Sequence, residues 1–208
     1  MVVAELVTKT VVVFDYGSGN LRSAQRALER VGANVTVTSD VDLAAACDGL
    51  VVPGVGAFAS CMDGLRSAGG EALVDRRVAD GAPLLGICVG AQVLFAAGEE
   101  HGTRTRGLGV LDGEVTGLRA ERVPHMGWNT VEHKAMPLFD GLDDDARFYF
   151  VHSYAAHPPA EGASIATCTH GEPFIAAITR DAVSATQFHP EKSGEAGLIL
   201  LSNWVGNL

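Results

Sequence analysis

The sequence predicts a single α/β domain in three layers, with a central, mostly parallel but mixed sheet flanked by helices. In the first half, short apolar runs alternate with segments of helical periodicity, which is typical of a parallel sheet with helices on both faces. The second half is richer in short β-like runs separated by turn residues, so we expect antiparallel strands there. At 208 residues the chain is long enough for one substantial core and too short for two ordinary domains.

Local patterns place the individual elements. Strands are predicted at residues 11–15, 35–38, 50–52 and 84–87, and helices at 21–31, 42–47, 58–79 (with a break near residues 69–70) and 89–97. Further β-like runs lie at residues 109–111, 115–118, 128–131, 147–152, 164–169, 174–179 and 182–188. A closing helix should run from Ser193, a plausible N-cap, to about Val205.

Composition narrows the possible functions. A net charge of −10 argues against binding of nucleic acid or an anionic membrane as the main role. The four cysteines are widely spaced with no C-x-x-C pair, so we expect no zinc site and no disulfide framework, and a reducing cytoplasm fits. We see no signal peptide and no apolar run long enough for a membrane span. Residues 1–10 are interpreted as an N-terminal extension of the domain at 11–208, and no metal or cofactor is expected.

One stretch, residues 84–92, organises the candidate chemistry. A buried strand ends in the pattern Gly86-x-Cys88-x-Gly90 and a helix-like segment follows at once. This is the layout of a nucleophile elbow, in which a sharp turn between strand and helix carries the nucleophile. The glycines allow close backbone approach and strained dihedral angles. We expect the N-terminus of the helix to favour the thiolate of Cys88.

A cysteine nucleophile needs a base and a group that orients that base. The sequence His189-Pro190-Glu191 follows the last predicted strand. Residues two apart in an extended chain project from the same face, so His189 and Glu191 can lie side by side. A carboxylate there would hold the imidazole tautomer and increase its basicity. Cys88 and His189 would then meet at the carboxyl ends of neighbouring strands, where α/β sheets place their sites.

Backbone donors for an oxyanion are available in two places. Residues 53–56, Pro-Gly-Val-Gly, follow a predicted strand and can direct N–H groups into a cleft. The N–H group of Val89, directly after the nucleophile, is the second natural donor. Each motif alone has an ordinary structural interpretation, since a buried cysteine is usually a small hydrophobe and Pro-Gly-Val-Gly is a common loop. Their joint occurrence in this order favours an active site.

Two motifs, at residues 86–92 and 187–193, together resemble those of the class I (triad) glutamine amidotransferases, which implies that family's flavodoxin-like fold. Further stretches at residues 15–21, 53–58, 124–129 and 149–154 look like the glutaminase subunits of imidazole glycerol phosphate synthases. The resemblance covers nearly the whole chain from Val11 onward.

The resemblance implies a mechanism and a partner. Cys88 would attack the side-chain amide of L-glutamine to give a thioester, with His189 as the proton shuttle and Glu191 orienting it. Ammonia would pass to a separate (β/α)8-barrel cyclase subunit, HisF, in a heterodimer. That subunit converts the substrate PRFAR to imidazole glycerol phosphate and AICAR in L-histidine biosynthesis.

The resemblance also assigns positions. The oxyanion positions align with Gly54, Val55 and Val89, the glutamine-binding positions with Gly56, Gln92, Glu100, Ser153 and Tyr154, and the partner-facing positions with Asn20, Trp128 and Lys192. A flip of the Gly54–Val55 peptide is implied before the oxyanion hole can form.

Three other interpretations remain open at this point. The chain could be another class I glutaminase subunit, serving pyridoxal phosphate, aminodeoxychorismate or anthranilate synthesis, although residues 124–129 and 149–154 argue against this. It could be an inactive binding module that retains the fold, which the intact Cys88, His189 and Glu191 disfavour. It could also be a cysteine peptidase or small-molecule hydrolase, against which only the resemblance argues.

Overall fold

A computed structural model describes residues 8–208 of the chain. The strands are β1 (Thr10–Phe14), β2 (Asn34–Thr38), β3 (Gly49–Gly54), β4 (Leu84–Cys88), β5 (Phe95–Glu100), β6 (Thr103–Arg106), β7 (Leu111–Gly117), β8 (His125–Thr130), β9 (Arg147–His152), β10 (Tyr154–Ala156), β11 (Ser164–His170), β12 (Glu172–Arg180) and β13 (Val183–Thr186). The helices are α1 (Leu21–Arg30), α2 (Val41–Ala46), α3 (Phe58–Ser67), α4 (Gly70–Ala79), α5 (Val89–Gln92) and α6 (Gly194–Gly206).

The central sheet has seven strands in the order β11-β12-β13-β4-β3-β1-β2. Strands β2, β1, β3, β4 and β13 run parallel to one another. Strand β12 pairs antiparallel with β13, and β11 pairs antiparallel with β12 at the edge of the sheet. Helices α1 and α6 contact each other, while α2 and α3 both contact α4. The predicted fold class, a mixed sheet flanked by helices, is confirmed.

The centre of this sheet is buried along its whole length, as expected for parallel strands covered on both faces. Every residue of β3 and β4 is buried. Their register pairs Gly54 with Cys88, so the two strands end side by side. Strand β13 pairs with the other edge of β4. The carboxyl ends of three neighbouring strands therefore meet where the candidate nucleophile lies.

The predicted helix over residues 89–97 is wrong beyond its first turn. Helix α5 ends at Gln92, and Phe95–Glu100 is a strand that pairs with β6 and β7 in a second sheet, ordered β10-β7-β5-β6. A side chain at Gly98 would meet the Phe58 ring, with its Cβ 2.5 Å from Cδ2. Packing of β5 against α3 and pairing with distant strands outweigh local helical preference here.

Other boundaries in the second half differ in smaller ways. Of the predicted run 109–111 only Leu111 lies in a strand, because β7 begins there; β7 also includes most of the run at 115–118. Strands β6 and β10 were not predicted, and among residues 8–208 β8 pairs only with β9, in a separate hairpin. Ser193 does occupy the N-cap position of α6, but its side chain makes no capping hydrogen bond. Its hydroxyl is used elsewhere, as described below.

Most of the predicted N-terminal extension, residues 1–7, lies outside the described residues. Thr10 is the first residue of β1 and pairs with Asn34. Among residues 8–208, no helix is both long and apolar enough to cross a membrane.

The buried side chain of Arg77 links helix α4 to the chain segments that precede β3 and β4. Arg77 of α4 is only 2% exposed. Its guanidinium donates hydrogen bonds to four carbonyl oxygens, those of Ala45, Cys47, Asp48 and Pro83, at distances of 2.6 to 3.3 Å. Hydrogen bonds to a charged group are stronger than neutral ones, and buried carbonyls without a donor are costly.

We therefore expect Arg77→Met to lower the free energy of unfolding by about 3 kcal/mol, because it leaves buried carbonyls without donors. The matched control is Arg76→Met, one residue earlier on the same helix. Arg76 is 64% exposed and makes only a 3.7 Å ion pair with Asp80. Its replacement should change stability by less than about 0.5 kcal/mol. Urea denaturation of both variants measures the difference, and equal losses would contradict the structural role of Arg77.

Candidate active site

The elbow holds Cys88 in a strained backbone conformation. Cys88 has φ +57° and ψ −116°, which a residue with a side chain rarely adopts, and it is 4% exposed. The flanking glycines make this turn possible. A Cβ at Gly90 would collide with the Val52 carbonyl oxygen, and one at Gly86 would lie 2.8 Å from the Ala91 Cα. Backbone strain maintained by tight packing is a feature of functional sites.

The structure brings His189 and Glu191 together beside Cys88. The His189 Nδ1 and Glu191 Oε1 atoms are 2.7 Å apart, and both side chains are 3% exposed. Interaction with the Cys88 side chain raises the pKa of His189. The second Glu191 oxygen, Oε2, is buried with no hydrogen-bond partner among the described residues.

The main chain of His189 is held from both sides. Its N–H donates to the Tyr149 carbonyl oxygen at 2.9 Å. The Ser193 hydroxyl donates to the His189 carbonyl oxygen at 2.6 Å and accepts from the Tyr149 N–H at 3.0 Å. This use of the hydroxyl explains why Ser193 does not cap α6. Strand β9 thus fixes the turn that carries the imidazole.

The electrostatic environment keeps His189 protonated at neutral pH. Burial by itself lowers the pKa of His189, but hydrogen bonds and charge interactions with Cys88 and Glu191 outweigh it and raise the pKa to about 9. The Nδ1–H group then donates to Glu191. The neighbouring His152 behaves in the opposite way, since burial lowers its pKa to about 3 and it stays neutral.

The predicted oxyanion donors differ in whether their N–H groups already have an acceptor. Gly54 lies opposite Cys88 in the sheet, and Val89 is the first residue of α5, where N–H groups have no acceptor within the helix. The Val55 N–H, however, donates to the Ser18 hydroxyl at 3.2 Å, and the same hydroxyl donates to the Val55 carbonyl oxygen at 2.9 Å. Ser18 therefore holds the N–H group of the Gly54–Val55 peptide and the carbonyl oxygen of the next one.

The predicted glutamine-binding residues fall in two places around the elbow. Gln92 is 2% exposed, and its Nε2 donates to the Tyr154 carbonyl oxygen at 2.8 Å. Its Oε1 is buried with no hydrogen-bond partner among residues 8–208. Glu100 accepts a hydrogen bond from the Phe58 N–H at 3.0 Å, which places it near Gly56. The Ser153 carbonyl oxygen accepts from the Leu118 N–H at 2.9 Å.

The predicted partner-facing residues border the same region. Asn20 is exposed and lines one small pocket together with Gly54, Val55, His189 and Glu191. Trp128 is 52% exposed and packs edge-on against Tyr149, at 5.9 Å between ring centroids. Lys192 directly follows Glu191 in a short 3₁₀ turn and is half-buried. No group of three or more His, Cys, Asp or Glu side chains in the described part of the chain is arranged to hold a metal ion.

Sequence reasoning missed three residues that contact this site: Ser18, Gln187 and Ser193. Gln187 precedes His189 by two residues, so the same period-two argument that paired His189 with Glu191 could have found it. Ser18 contacts Val55 across 37 residues, and no local pattern indicates such a contact.

A buried cysteine on an elbow, with a histidine–glutamate pair beside it on a mostly parallel sheet, is typical of triad hydrolases of the amidotransferase type. The profile of the family named Glutamine amidotransferase class-I matches residues 12–205, so the chain belongs to this family. Two solved structures share its fold. A glutamine amidotransferase superposes with a TM-score of 0.75 at 24% identity, covering 95% of this chain and 99% of the other. PurLQS from Thermotoga maritima gives a TM-score of 0.72 at 17% identity, covering 96% and 98%.

Within this family, the relatives of the chain are the HisH subunits of imidazole glycerol phosphate synthases. The chain is 59% identical to that subunit of Streptomyces avermitilis, over 96% of this chain and 97% of the relative. It is also 59% identical to the subunit of Mycobacterium bovis, over 98% and 100%, and to that of Mycolicibacterium paratuberculosis, over 98% and 100%.

Glu191→Gln should lower the pKa of His189 from about 9 towards its ordinary value, because the negative charge facing Nδ1–H is lost. NMR titration of labelled histidine measures this midpoint. The folded-state pKa of His189 exceeds the value of 6.5 in an unfolded chain, so its stabilising contribution is complete below pH 6.5 and is lost as the pH rises to about 9. The stability difference between wild type and Glu191→Gln should therefore narrow over this range.

The control for this prediction is Glu195→Gln, which removes an exposed carboxylate from the first turn of α6. It should leave the His189 midpoint where it is. A His189 midpoint that is the same in wild type and Glu191→Gln would contradict the coupling of the pair.

Proposed function

We propose that this chain is the glutaminase subunit of an imidazole glycerol phosphate synthase, which hydrolyses L-glutamine to glutamate and ammonia for L-histidine biosynthesis. The observation that carries the proposal is the buried His189–Glu191 pair, 2.7 Å apart, beside Cys88 on its strained turn. The names of its 59% identical relatives support the choice of this synthase among amidotransferases.

In the first half of the proposed reaction, the Cys88 sulfur attacks the side-chain amide carbon of glutamine and its proton resides on His189. The negative charge that develops on the amide oxygen is stabilised by backbone N–H groups of Val89 and Val55. His189 then donates its proton to the departing nitrogen, ammonia leaves, and a γ-glutamyl thioester remains on Cys88.

In the second half, His189 accepts a proton from a water molecule that attacks the thioester carbon. The carbon–sulfur bond breaks, glutamate leaves, and the proton returns to the sulfur–imidazole pair. Glu191 holds the imidazole orientation throughout, as its buried 2.7 Å contact with Nδ1 supports. We assign the recognition of glutamine to Gly56, Gln92, Glu100, Ser153 and Tyr154. The buried Oε1 of Gln92 supports this assignment, because it lacks a hydrogen-bond partner that a substrate N–H group could supply.

We further propose that ammonia passes to a HisF cyclase subunit in a heterodimer. The exposed Trp128 and Met126 on one face of β8, at 52% and 62%, offer an apolar surface for that partner. Asn20 and Lys192 border the triad and would complete the interface. We assign residues 11–208 to the amidotransferase domain and the protein to the cytoplasm, in keeping with its free cysteines and its biosynthetic relatives.

The proposal includes a low resting activity. The Val55 N–H is bound to Ser18, so an oxyanion hole that uses it requires the Gly54–Val55 peptide to turn. Gly56 has φ +85°, and apart from its chain neighbours no heavy atom of residues 8–208 lies within 4 Å of the position its Cβ would take, which leaves the backbone free to change there. Docking of the partner at the adjacent Asn20 would favour this change.

Cys88→Ala should abolish glutamine-dependent synthesis by the complex with the cyclase subunit, by at least about 10³-fold, because the nucleophile is lost. Synthesis from added ammonium salt should continue at the wild-type rate, since the cyclase site is on the other subunit. Cys47→Ala, which alters a half-buried cysteine on the loop after α2, is the control and should retain both activities. Glutamine use by Cys88→Ala would refute the assignment of the nucleophile.

Ser18→Ala should raise the glutaminase activity of the isolated chain several-fold, because it frees the Val55 N–H group from the Ser18 hydroxyl. Glutamate release measured without a partner tests this. Ser60→Ala, on the exposed side of α3, is the matched control and should leave the basal rate unchanged. A basal rate in Ser18→Ala no higher than that of wild type would show that Ser18 does not hold the oxyanion loop in its resting state.

A further inference from the structure

A second glutamine, Gln187, lies between the nucleophile and Gln92. It directly follows β13 and is 5% exposed. Its Nε2 is 4.0 Å from the Cys88 sulfur, and its Oε1 accepts a hydrogen bond from Gln92 Nε2 at 2.9 Å. Its own N–H donates to the Ala176 carbonyl oxygen at 2.8 Å, which fixes the residue to β12. The triad mechanism described above makes no use of it.

The direction of the Gln187 amide follows from counting hydrogens. The Tyr154 carbonyl oxygen can only accept, so the Gln92 side chain must present its NH₂ group there. The second hydrogen of that NH₂ group points to Gln187, which must therefore present its oxygen to Gln92. The Gln187 NH₂ group is then left facing the Cys88 sulfur.

A chain of histidines keeps the Tyr154 carbonyl in place. His152 Nδ1 is 3.0 Å from this oxygen and so carries a hydrogen, which leaves its Nε2 as an acceptor. His125 Nδ1, at 3.0 Å, donates to that Nε2, and the Asn129 amide, at 3.3 Å, completes the series. Because each member has only one consistent role, turning over the Gln92 amide would set two acceptors against each other, and turning over the Gln187 amide would set two donors against each other.

We propose that Gln187 is a hydrogen-bond donor to the Cys88 sulfur, which stabilises the thiolate and also holds the Gln92 side chain in its substrate-binding orientation. This inference rests on the proposed function of Cys88 as the nucleophile. The N–H···S distance of 4.0 Å belongs to the resting site, and donors to a charged sulfur approach more closely and bind more strongly. Unlike His189, an amide never transfers its proton, so it can assist both when the sulfur attacks and when it leaves.

The titratable groups Tyr16 and Cys61 near Cys88 do not take over the role of the Gln187 amide as a donor. The Tyr16 hydroxyl donates to the Pro53 carbonyl oxygen at 2.5 Å, and burial raises the pKa of Tyr16 far above its ordinary value. Burial also raises the pKa of Cys61, whose sulfur contacts Ser18 and Val55. Both groups stay neutral, so the charge facing Cys88 comes from His189, oriented by Glu191.

The test compares the ionisation of Cys88 in wild type and Gln187→Met, which keeps the side-chain size and removes the donor without adding charge. The full-length chain is alkylated with iodoacetamide over a pH series, and the rate is followed on the Cys88 peptide by mass spectrometry. We expect the midpoint of the pH–rate profile to move up by about one unit, with about tenfold slower alkylation at neutral pH. The plateau rate at high pH should match wild type, which a distorted site would not give.

Gln25→Met is the matched control, since Gln25 makes its hydrogen bonds on the exposed face of α1. It should leave the profile unchanged. Gln187→Asn, whose shorter amide is withdrawn from the sulfur, should shift the midpoint in the same direction and keeps the test available if Gln187→Met does not fold. A midpoint equal to wild type in the folded variants would overturn the proposal.

The alkylation assay reports on Gln187 whether or not glutamine is the substrate. The glutamine assay of Cys88→Ala tests the proposed function separately. Failure of the second with success of the first would mean that the thiolate is real but serves another reaction.

Discussion

The candidate site depends on a close approach between two stretches of backbone, the end of β3 and the elbow after β4. A Cβ at Gly90 would collide with the Val52 carbonyl oxygen, and one at Gly54 would collide with the Gly90 N–H. With no side chain between them, the two chains lock the turn that holds Cys88 at φ +57°. Strain of this kind costs on the order of 1–3 kcal/mol and persists only where the surroundings enforce it. The fully buried β3 and β4 provide those surroundings.

The imidazole is positioned from a different part of the chain. His189 follows β13, yet its N–H and carbonyl groups are bound by Tyr149 of β9 and by Ser193. The hairpin of β8 and β9 presents Trp128 to solvent and packs it against Tyr149. The exposed surface is therefore one cross-strand pair away from the residue that moves protons in the proposed reaction. A protein bound to this hairpin would act on the His189 turn through hydrogen bonds already in place.

Features encoded locally could be predicted from the sequence. The alternation of strands and helices predicts the sheet, and the period-two spacing of His189 and Glu191 predicts their 2.7 Å contact. Features that depend on distant pairing could not be predicted. Residues 93–97 appear helical by pattern but include the start of β5, because pairing with β6 and β7 decides their conformation. The link between Gln92 and Gln187 joins residues 95 positions apart, beyond any local signal.

The Ser18 contact also sets a scale for activation. Turning the Gly54–Val55 peptide breaks the hydrogen bond from the Val55 N–H to the Ser18 hydroxyl, which is worth about 1 kcal/mol net. A penalty of about 1 kcal/mol keeps the competent arrangement at roughly 15% of the population. Because a partner needs only a similar difference in affinity between the two arrangements to reverse this balance, contacts beside Asn20 are sufficient in energy. The proposed control of ammonia release by a partner would therefore require no large rearrangement of the core, only a competing set of contacts for one peptide group next to the nucleophile.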